Sequence, residues 1–345
     1  MMELVDRLEH DRRLEREEYK LLLSAYDTPL LDYINARARA VAQSHFGTGI
    51  YIRGLIEVTN YCRNDCYYCG IRKSNLNVHR YRLSKEQVLE CCREGNLLGF
   101  KTFVLQGGED AGISDKAIED MVRAIRTEFP GNAITLSLGE RSGEAYQRFF
   151  DAGANRYLLR HETADREHYG KLHPASMSFD RRMESLRTLR EIGFQTGTGM
   201  MVGSPWQTID NITDDILFIE EFKPQMIGLG PYIPQSDTPF AGKPAGSPEL
   251  SLMLLSIFRL MFPAALIPST TSLASVTDDG RERGILAGAN VVMPNLSPPE
   301  FREWYALYNN KRSFGSEAAE GVKTLEKQLS AIGYHISYDR GDYKG

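Results

Sequence analysis

Three cysteines, Cys62, Cys66 and Cys69, stand in one short stretch in the pattern Cys-x3-Cys-x2-Cys. Three thiolates at this spacing reach one iron–sulfur cubane, and a [4Fe–4S] cluster ordinarily takes four cysteine ligands. With three, one iron keeps an open position for a ligand that is not protein. Zinc is the competing reading. A structural zinc site takes four protein ligands, usually as two Cys/His pairs, and no second pair lies nearby. His79 would have to complete the set from across a charged loop. The two remaining cysteines, Cys91 and Cys92, sit in a helical stretch beside Leu89, Leu97 and Leu98 and read as small core hydrophobes. Five cysteines is an odd number, which argues against a disulfide framework.

Such a site needs a scaffold, and the chain alternates short β-rich runs with stretches of helical period. The strand candidates are 51–58, 101–106, 133–138, 156–162, 195–202, 225–230, 264–269 and 289–293. Helix candidates between them cover 85–98, 115–129, 143–152, 179–192, 208–222, 248–262 and 278–287. Ser84 before the first and Gly99 after it are a matched cap and stop. Eight β/α units over roughly 250 residues predict a complete (β/α)8 TIM-type barrel, since open doubly wound sheets rarely run to eight strands. Residues 1–48 read as a helical N-terminal extension, with helices over 6–25 and 29–44. Residues 49–300 read as the barrel, and 301–345 as a short C-terminal extension closing it. In this fold chemistry sits at the C-terminal ends of the strands. The cysteines fall there, in the loop after the first strand.

The bulk properties set limits. With 42% hydrophobic and 25% charged residues, the 345-residue chain has an ordinary globular composition. A net charge of −5 supplies no basic field for nucleic acid. The N-terminus is too charged for a signal peptide. The longest apolar stretch, 252–266, is broken by Ser256, Arg259 and Pro263, so no membrane span is expected. A cytoplasmic location is the default.

Cys-x3-Cys-x2-Cys with an aromatic residue, Tyr68, before the last cysteine resembles the signature of the radical S-adenosylmethionine (SAM) superfamily. The run Tyr67-Tyr68-Cys69-Gly70-Ile71-Arg72-Lys73, followed by Arg80-Tyr81-Arg82-Leu83-Ser84, is similar to the branch holding biotin synthase, methylornithine synthase and the FeFe-hydrogenase maturase HydE. The resemblance implies a [4Fe–4S] cluster on Cys62, Cys66 and Cys69, with SAM on the open iron. Reductive cleavage of SAM then yields a 5′-deoxyadenosyl radical, the cofactor carrying the hard chemistry. It further implies that Tyr68 lies against the adenine and that Gln106-Gly107-Gly108-Glu109 holds the SAM amino group. Glycines there let backbone approach a ligand. Glu162 and Arg182 would contact the ribose and methionine parts, with Ser137 and Met201 completing the pocket. His161 is expected to support its neighbours. Gly197 and Gly199 are read as glycines that make room for SAM.

Within that branch the HydE family is the nearest resemblance, from about Asp32 to Tyr308. It is carried by Ile52-Arg53-Gly54-Leu55-Ile56-Glu57, by Arg156 to Thr163, by Ile267-Pro268-Ser269-Thr270-Thr271 and by Val291-Val292-Met293-Pro294-Asn295. It implies a small organometallic substrate, an Fe(CO)2(CN) complex bearing cysteine, used in assembling the hydrogenase diiron subsite. Arg53, Arg160, Thr270, Thr271 and Tyr308 would hold that anion, and a cationic, hydroxyl-rich cavity suits a carboxylate. Implied partners are other hydrogenase maturation proteins and a reducing electron donor such as a ferredoxin or flavodoxin. Some family members carry three further cysteines near the C-terminus, whereas Tyr308 to Val322 holds none here. Two alternatives stay open: a mutase of the methylornithine synthase type acting on a small amino acid, and a non-catalytic iron–sulfur scaffold or carrier.

Overall fold

The computed structural model describes residues 1–345. The first barrel strand is split at Arg53 into β1, Gly49–Ile52, and β2, Gly54–Thr59. There follow β3, Thr102–Gly107, β4, Ala133–Ser137, β5, Arg156–Leu158, β6, Gln195–Val202, and β7, Met226–Pro231. The last two are β8, Val291–Val292, and β9, His335–Ser337. The strands β2 to β7 form one parallel sheet in sequence order.

The sheet closes on itself. Residues 266–268 bridge β7 on one side, at Met226, and β8 on the other, at Val291. The amide of Ile227 donates to Leu266 O at 3.1 Å, and that of Ser269 to Val291 O at 2.9 Å. On its far side β8 pairs with β1, Tyr51 opposite Val291, and Leu55 bridges Asn295. Eight parallel staves therefore form a complete ring, which has no free edge.

Alternation along each stave sends every second side chain outward to the helices. Ile134 and Leu136 of β4 join the outer core with Phe103, Leu105 and Tyr157. Six of the covering helices begin identically. Ser84, Ser114, Ser142, Ser178, Thr208 and Ser247 each accept a hydrogen bond from the backbone amide three residues on, each cap contributing about 1 kcal/mol.

The N-terminal helices, Met2–Asp11, Arg16–Ser24 and Thr28–Phe46, pack outside the ring. Thr28–Phe46 covers the Pro248–Met261 helix, and for that reason the latter is buried all round, Ser251 to Met261. The single helix expected over 6–25 is two helices. Arg12 takes the left-handed conformation (φ 66°) and Glu15 starts the second helix through a reciprocal capping box with Glu18. Two short helices, Arg166–Leu172 and Thr271–Val276, and β9 stand where no element was expected. The C-terminal extension works at both ends of the ring. Its first part folds over the cysteine loop, and its last residues plug the floor. There β9 pairs with β1, and buried Arg156 reaches Gly341 O and Asp342 Oδ1, at 3.1 and 2.7 Å.

Candidate functional site at the barrel mouth

The loop from Asn60 to Leu83 carries the three cysteines, and three arginines shape it. Arg80 donates to the carbonyls of Asn60, Ile71, Arg72 and Asn75. Arg72 binds Asp65 in an ion pair at 2.7 Å, and Arg63 pairs with Glu109 at 3.0 Å. Backbone bonds tie the loop to its surroundings: Tyr67 N to Leu172 O at 3.0 Å, and Gly70 N to Leu307 O at 2.8 Å. Gly70 is obligatory, since a Cβ there would overlap the Ala306 carbonyl.

Cys62, Cys66 and Cys69 are half-buried. Burial, and then mutual repulsion, push the Cys66 thiol well above its ordinary value. Burial likewise pushes Cys69 up to about 12 and raises Cys62. Three thiolates here therefore need positive charge beside them, which the iron core of a cubane supplies. No three His, Cys, Asp or Glu side chains converge as ligands of a single ion, the arrangement zinc asks for. A cubane instead takes each thiolate at a separate iron, and the donor set fits it.

Around this loop the structure gathers most of the residues singled out for SAM. Gly108 passes against the cysteine loop, where a Cβ would overlap Tyr61 O. Glu109 is buried and accepts the Glu140 amide at 2.9 Å. Arg182, also buried, donates to Glu140 Oε1 and to Arg160 O, both at 2.7 Å. Burial works against its charge, but Tyr169, Glu140 and Glu109 outweigh it and raise its pKa. Glu162 is held at φ 69°, a conformation costing a non-glycine residue about 1–3 kcal/mol and concentrated at functional sites. Its Oε2 stands 3.2 Å from Arg160 Nη2 in an ion pair that lacks hydrogen-bond geometry. The Tyr68 hydroxyl meets His173 Nε2 at 3.2 Å, and its side chain packs against the small cluster of Leu172, Met201, Tyr232 and Phe240. Gln106 reaches Tyr305 at 3.4 Å. Ser137 ends β4 beside it in register.

The candidate substrate residues divide. Arg160 and Tyr308 are close enough for the arginine's charge to act on the phenol. Thr270 donates to Leu229 O at 3.2 Å and Thr271 to Glu317 Oε2 at 3.0 Å. Arg53 stands apart from these four. It lies at the floor, its guanidinium on Met226 Sδ at 3.3 Å and the tail carbonyl of Gly341 at 3.5 Å. The reason is register: Gly54 pairs with Phe103 at the start of β3, so Arg53 enters one layer below. Several polar atoms inside the ring lack a hydrogen-bond partner: Thr135 Oγ1, Arg53 Nε and Arg160 Nε have none, and Arg160 Nη2 and Glu162 Oε2 have only their mutual ion pair. Native proteins leave few such groups. Half of the ten such atoms in the protein are these five.

Gly197 and Gly199 are crowded by their neighbours. A Cβ at Gly197 would press on Leu158 and Met226, and one at Gly199 would overlap Gly228 O. Strand packing is by itself enough to require these glycines. Sequence reasoning missed Lys311, whose Nζ sits 2.6 Å from Glu57 Oε1 inside the barrel, because the partners lie on opposite ends of the chain. It also missed His173 and Asp215, the latter binding His161 Nε2 at 3.2 Å. Neither belongs to a motif, and only the fold brings them in. The broad surface cleft lined by Arg141, Ser142, Asp180, Arg181 and Arg187 lies on the helical shell and holds none of the cysteines.

Comparison with known proteins agrees with this geometry. The family model described as the Radical SAM superfamily matches residues 56–219, and that superfamily brings with it a [4Fe–4S] cluster and SAM. The [FeFe] hydrogenase maturase subunit HydE of Thermotoga maritima is 39% identical over 342 residues, 99% of this chain and 97% of that protein. The crystal structure of methylornithine synthase (PylB) superposes with a TM-score of 0.86 at 27% identity, covering 99% of this chain and 98% of that one. The maturase HydG from Carboxydothermus hydrogenoformans shares the fold, with a TM-score of 0.82 at 20% identity over 97% of this chain and 79% of that one. The chain is a radical SAM enzyme and belongs to the HydE family of that superfamily.

Proposed function

We propose that the protein is a HydE-type maturase whose radical acts on a small cysteine-containing Fe(CO)2(CN) complex during assembly of the FeFe-hydrogenase diiron subsite. The observation that carries the maturase reading is the 39% identity to HydE across nearly the whole of both chains. When bound, the reduced cluster and SAM supply a 5′-deoxyadenosyl radical by cleavage of a carbon–sulfur bond.

The chain's own residues bind, orient and shield. Cys62, Cys66 and Cys69 hold three irons and leave the fourth for SAM. Gln106, Gly107, Gly108 and Glu109 line the amino-group side, with Ser137 beside them. Arg182 and Glu162 face the carboxylate and ribose, and Tyr68 and Met201 face the adenine. Arg160, Tyr308 and Thr270 take the substrate below, Thr271 acts through Glu317, and Arg53 contributes positive charge from the floor. Arginine suits a substrate carboxylate because its planar fork binds in two places at once. Residues 1–48 buttress the barrel of 49–300, and 301–345 close it over the chamber, keeping water from the radical. No helix is long and apolar enough to cross a membrane, and we place the protein in the cytoplasm, served by a ferredoxin or flavodoxin and by the other maturation proteins.

The likeness to methylornithine synthase supports a second reading, a mutase acting on a small amino acid. Parallel anaerobic incubations decide between them. The maturase reading predicts consumption of the iron–cysteine complex with release of 5′-deoxyadenosine. A rearranged product from lysine, with the iron complex untouched, would replace it with the mutase reading.

A further inference from the structure

Four glycines lie at alternate, inward-facing positions of β6 and β7, with Gly197 opposite Met226, Gly199 opposite Gly228, and Met201 opposite Gly230. Three of them are forced by their neighbours. A Cβ at Gly197 meets Leu158 and Met226, at Gly199 the Gly228 carbonyl, and at Gly230 the hydroxyls of Thr270 and Ser272. Gly228 is the exception. It is buried, yet a Cβ built on it finds a single neighbour, Thr198 O at 3.9 Å. Its backbone is not in the left-handed region either. Neither conformation nor contact demands glycine, and glycine weakens a strand interior. What Gly228 borders is open space inside the ring.

That space is polar. Met226, two residues below on the same face, receives Arg53, and Gly230, two residues above, lies under Thr270. Arg53 and Thr135 are each more than nine-tenths buried and keep an unpartnered atom in this interior. The unpartnered Nε of Arg160 belongs to the same wall, since the stave carrying Arg160 runs beside Gly197 and Gly199.

We propose that Gly228 sets the size limit of the substrate chamber, admitting a compact amino-acid-derived anion beside Arg160 that a bulky residue at 228 would crowd out. The inference rests on the reading that substrate enters the barrel, but not on which substrate it is. Gly228 is a specificity-determining residue. It makes no bond to the ligand and acts by the volume it leaves empty.

Three variants test it. Gly228→Ala should fold at least as well as the parent, because alanine narrows the unfolded ensemble and meets nothing in the native one. Gly199→Ala, at the paired position, should destabilise. Gly228→Leu should raise KM about tenfold or more for whichever substrate the parent enzyme consumes, the iron–cysteine complex or lysine, with a smaller rise for Gly228→Ala. Binding of SAM, read from the cluster's EPR signal, should persist. Loss of the hydrogenase reading shows as lysine consumption by the parent, and the size limit is then read on lysine. An unchanged KM in Gly228→Leu overturns the proposal. So, independently of turnover, does a crystal structure of Gly228→Leu with the leucine side chain outside the barrel interior.

Discussion

Replacing Lys311 by methionine should destabilise the protein while leaving its fold intact. Glu57 is fully buried on β2, and its carboxylate is held by Lys311 Nζ at 2.6 Å and by Asn295 Nδ2 at 2.9 Å. Lys311→Met removes the only cation and strands the charge with a single amide donor. Breaking a buried pair from one side costs about 3–5 kcal/mol, whereas replacing both partners is often neutral. Unfolding entropy near 2.1 cal/mol/K per residue amounts to about 0.7 kcal/mol/K for a chain of this size, so the loss lowers Tm by about 4–7 °C. The double variant Lys311→Met, Glu57→Gln should regain most of it. Calorimetry on the four proteins of the cycle gives the coupling directly. A single variant melting within about 1 °C of the parent, or a double variant no better than Lys311→Met, would refute the buried pair as a clamp on the C-terminal extension.

Three further outcomes are expected. Arg182→Gln leaves Glu140 short of its principal partner and should raise KM for SAM about tenfold or more, as assayed by 5′-deoxyadenosine release. Burial, reinforced by Arg182, lowers the His173 pKa to about 3. The unfolded chain then binds one more proton between about pH 3 and 6.5, so stability is complete above pH 6.5 and is lost at about 1.4 kcal/mol per pH unit below it. His173→Gln should flatten this part of the denaturation profile, and an unchanged slope would count against it. Cys92→Ala should cost about 1 kcal/mol in urea unfolding and leave iron content at the parent level, as expected of a packing cysteine.

Much of this was readable from local pattern. The staves alternate and the helices carry their own caps, so strands such as 195–202 and helices such as 179–192 fall where period and punctuation put them. The cysteine loop was equally plain, since its ligands are neighbours in sequence. What escaped was long-range. Lys311 meets Glu57, Asp342 meets Arg156 and Asp215 meets His161 only after the ring has closed. The height of Arg53 at the floor of the interior could not be read either, because register between β2 and β3 is invisible in either strand alone. Gly197, Gly199 and Gly228 look alike as letters. Only the neighbours distinguish a glycine that is crowded from one that faces empty space.

The central claim is that Cys62, Cys66 and Cys69 hold a cluster that splits SAM. It is tested most directly by reconstituting the chain with iron and sulfide without oxygen, reducing it with SAM, and quantifying 5′-deoxyadenosine and methionine. The account predicts equal amounts of the two products from the parent and none from Cys62→Ala, Cys66→Ala or Cys69→Ala, with Cys91→Ala still active. A parent chain that binds four irons yet releases no 5′-deoxyadenosine, or a Cys66→Ala variant that releases it at the parent rate, would contradict it.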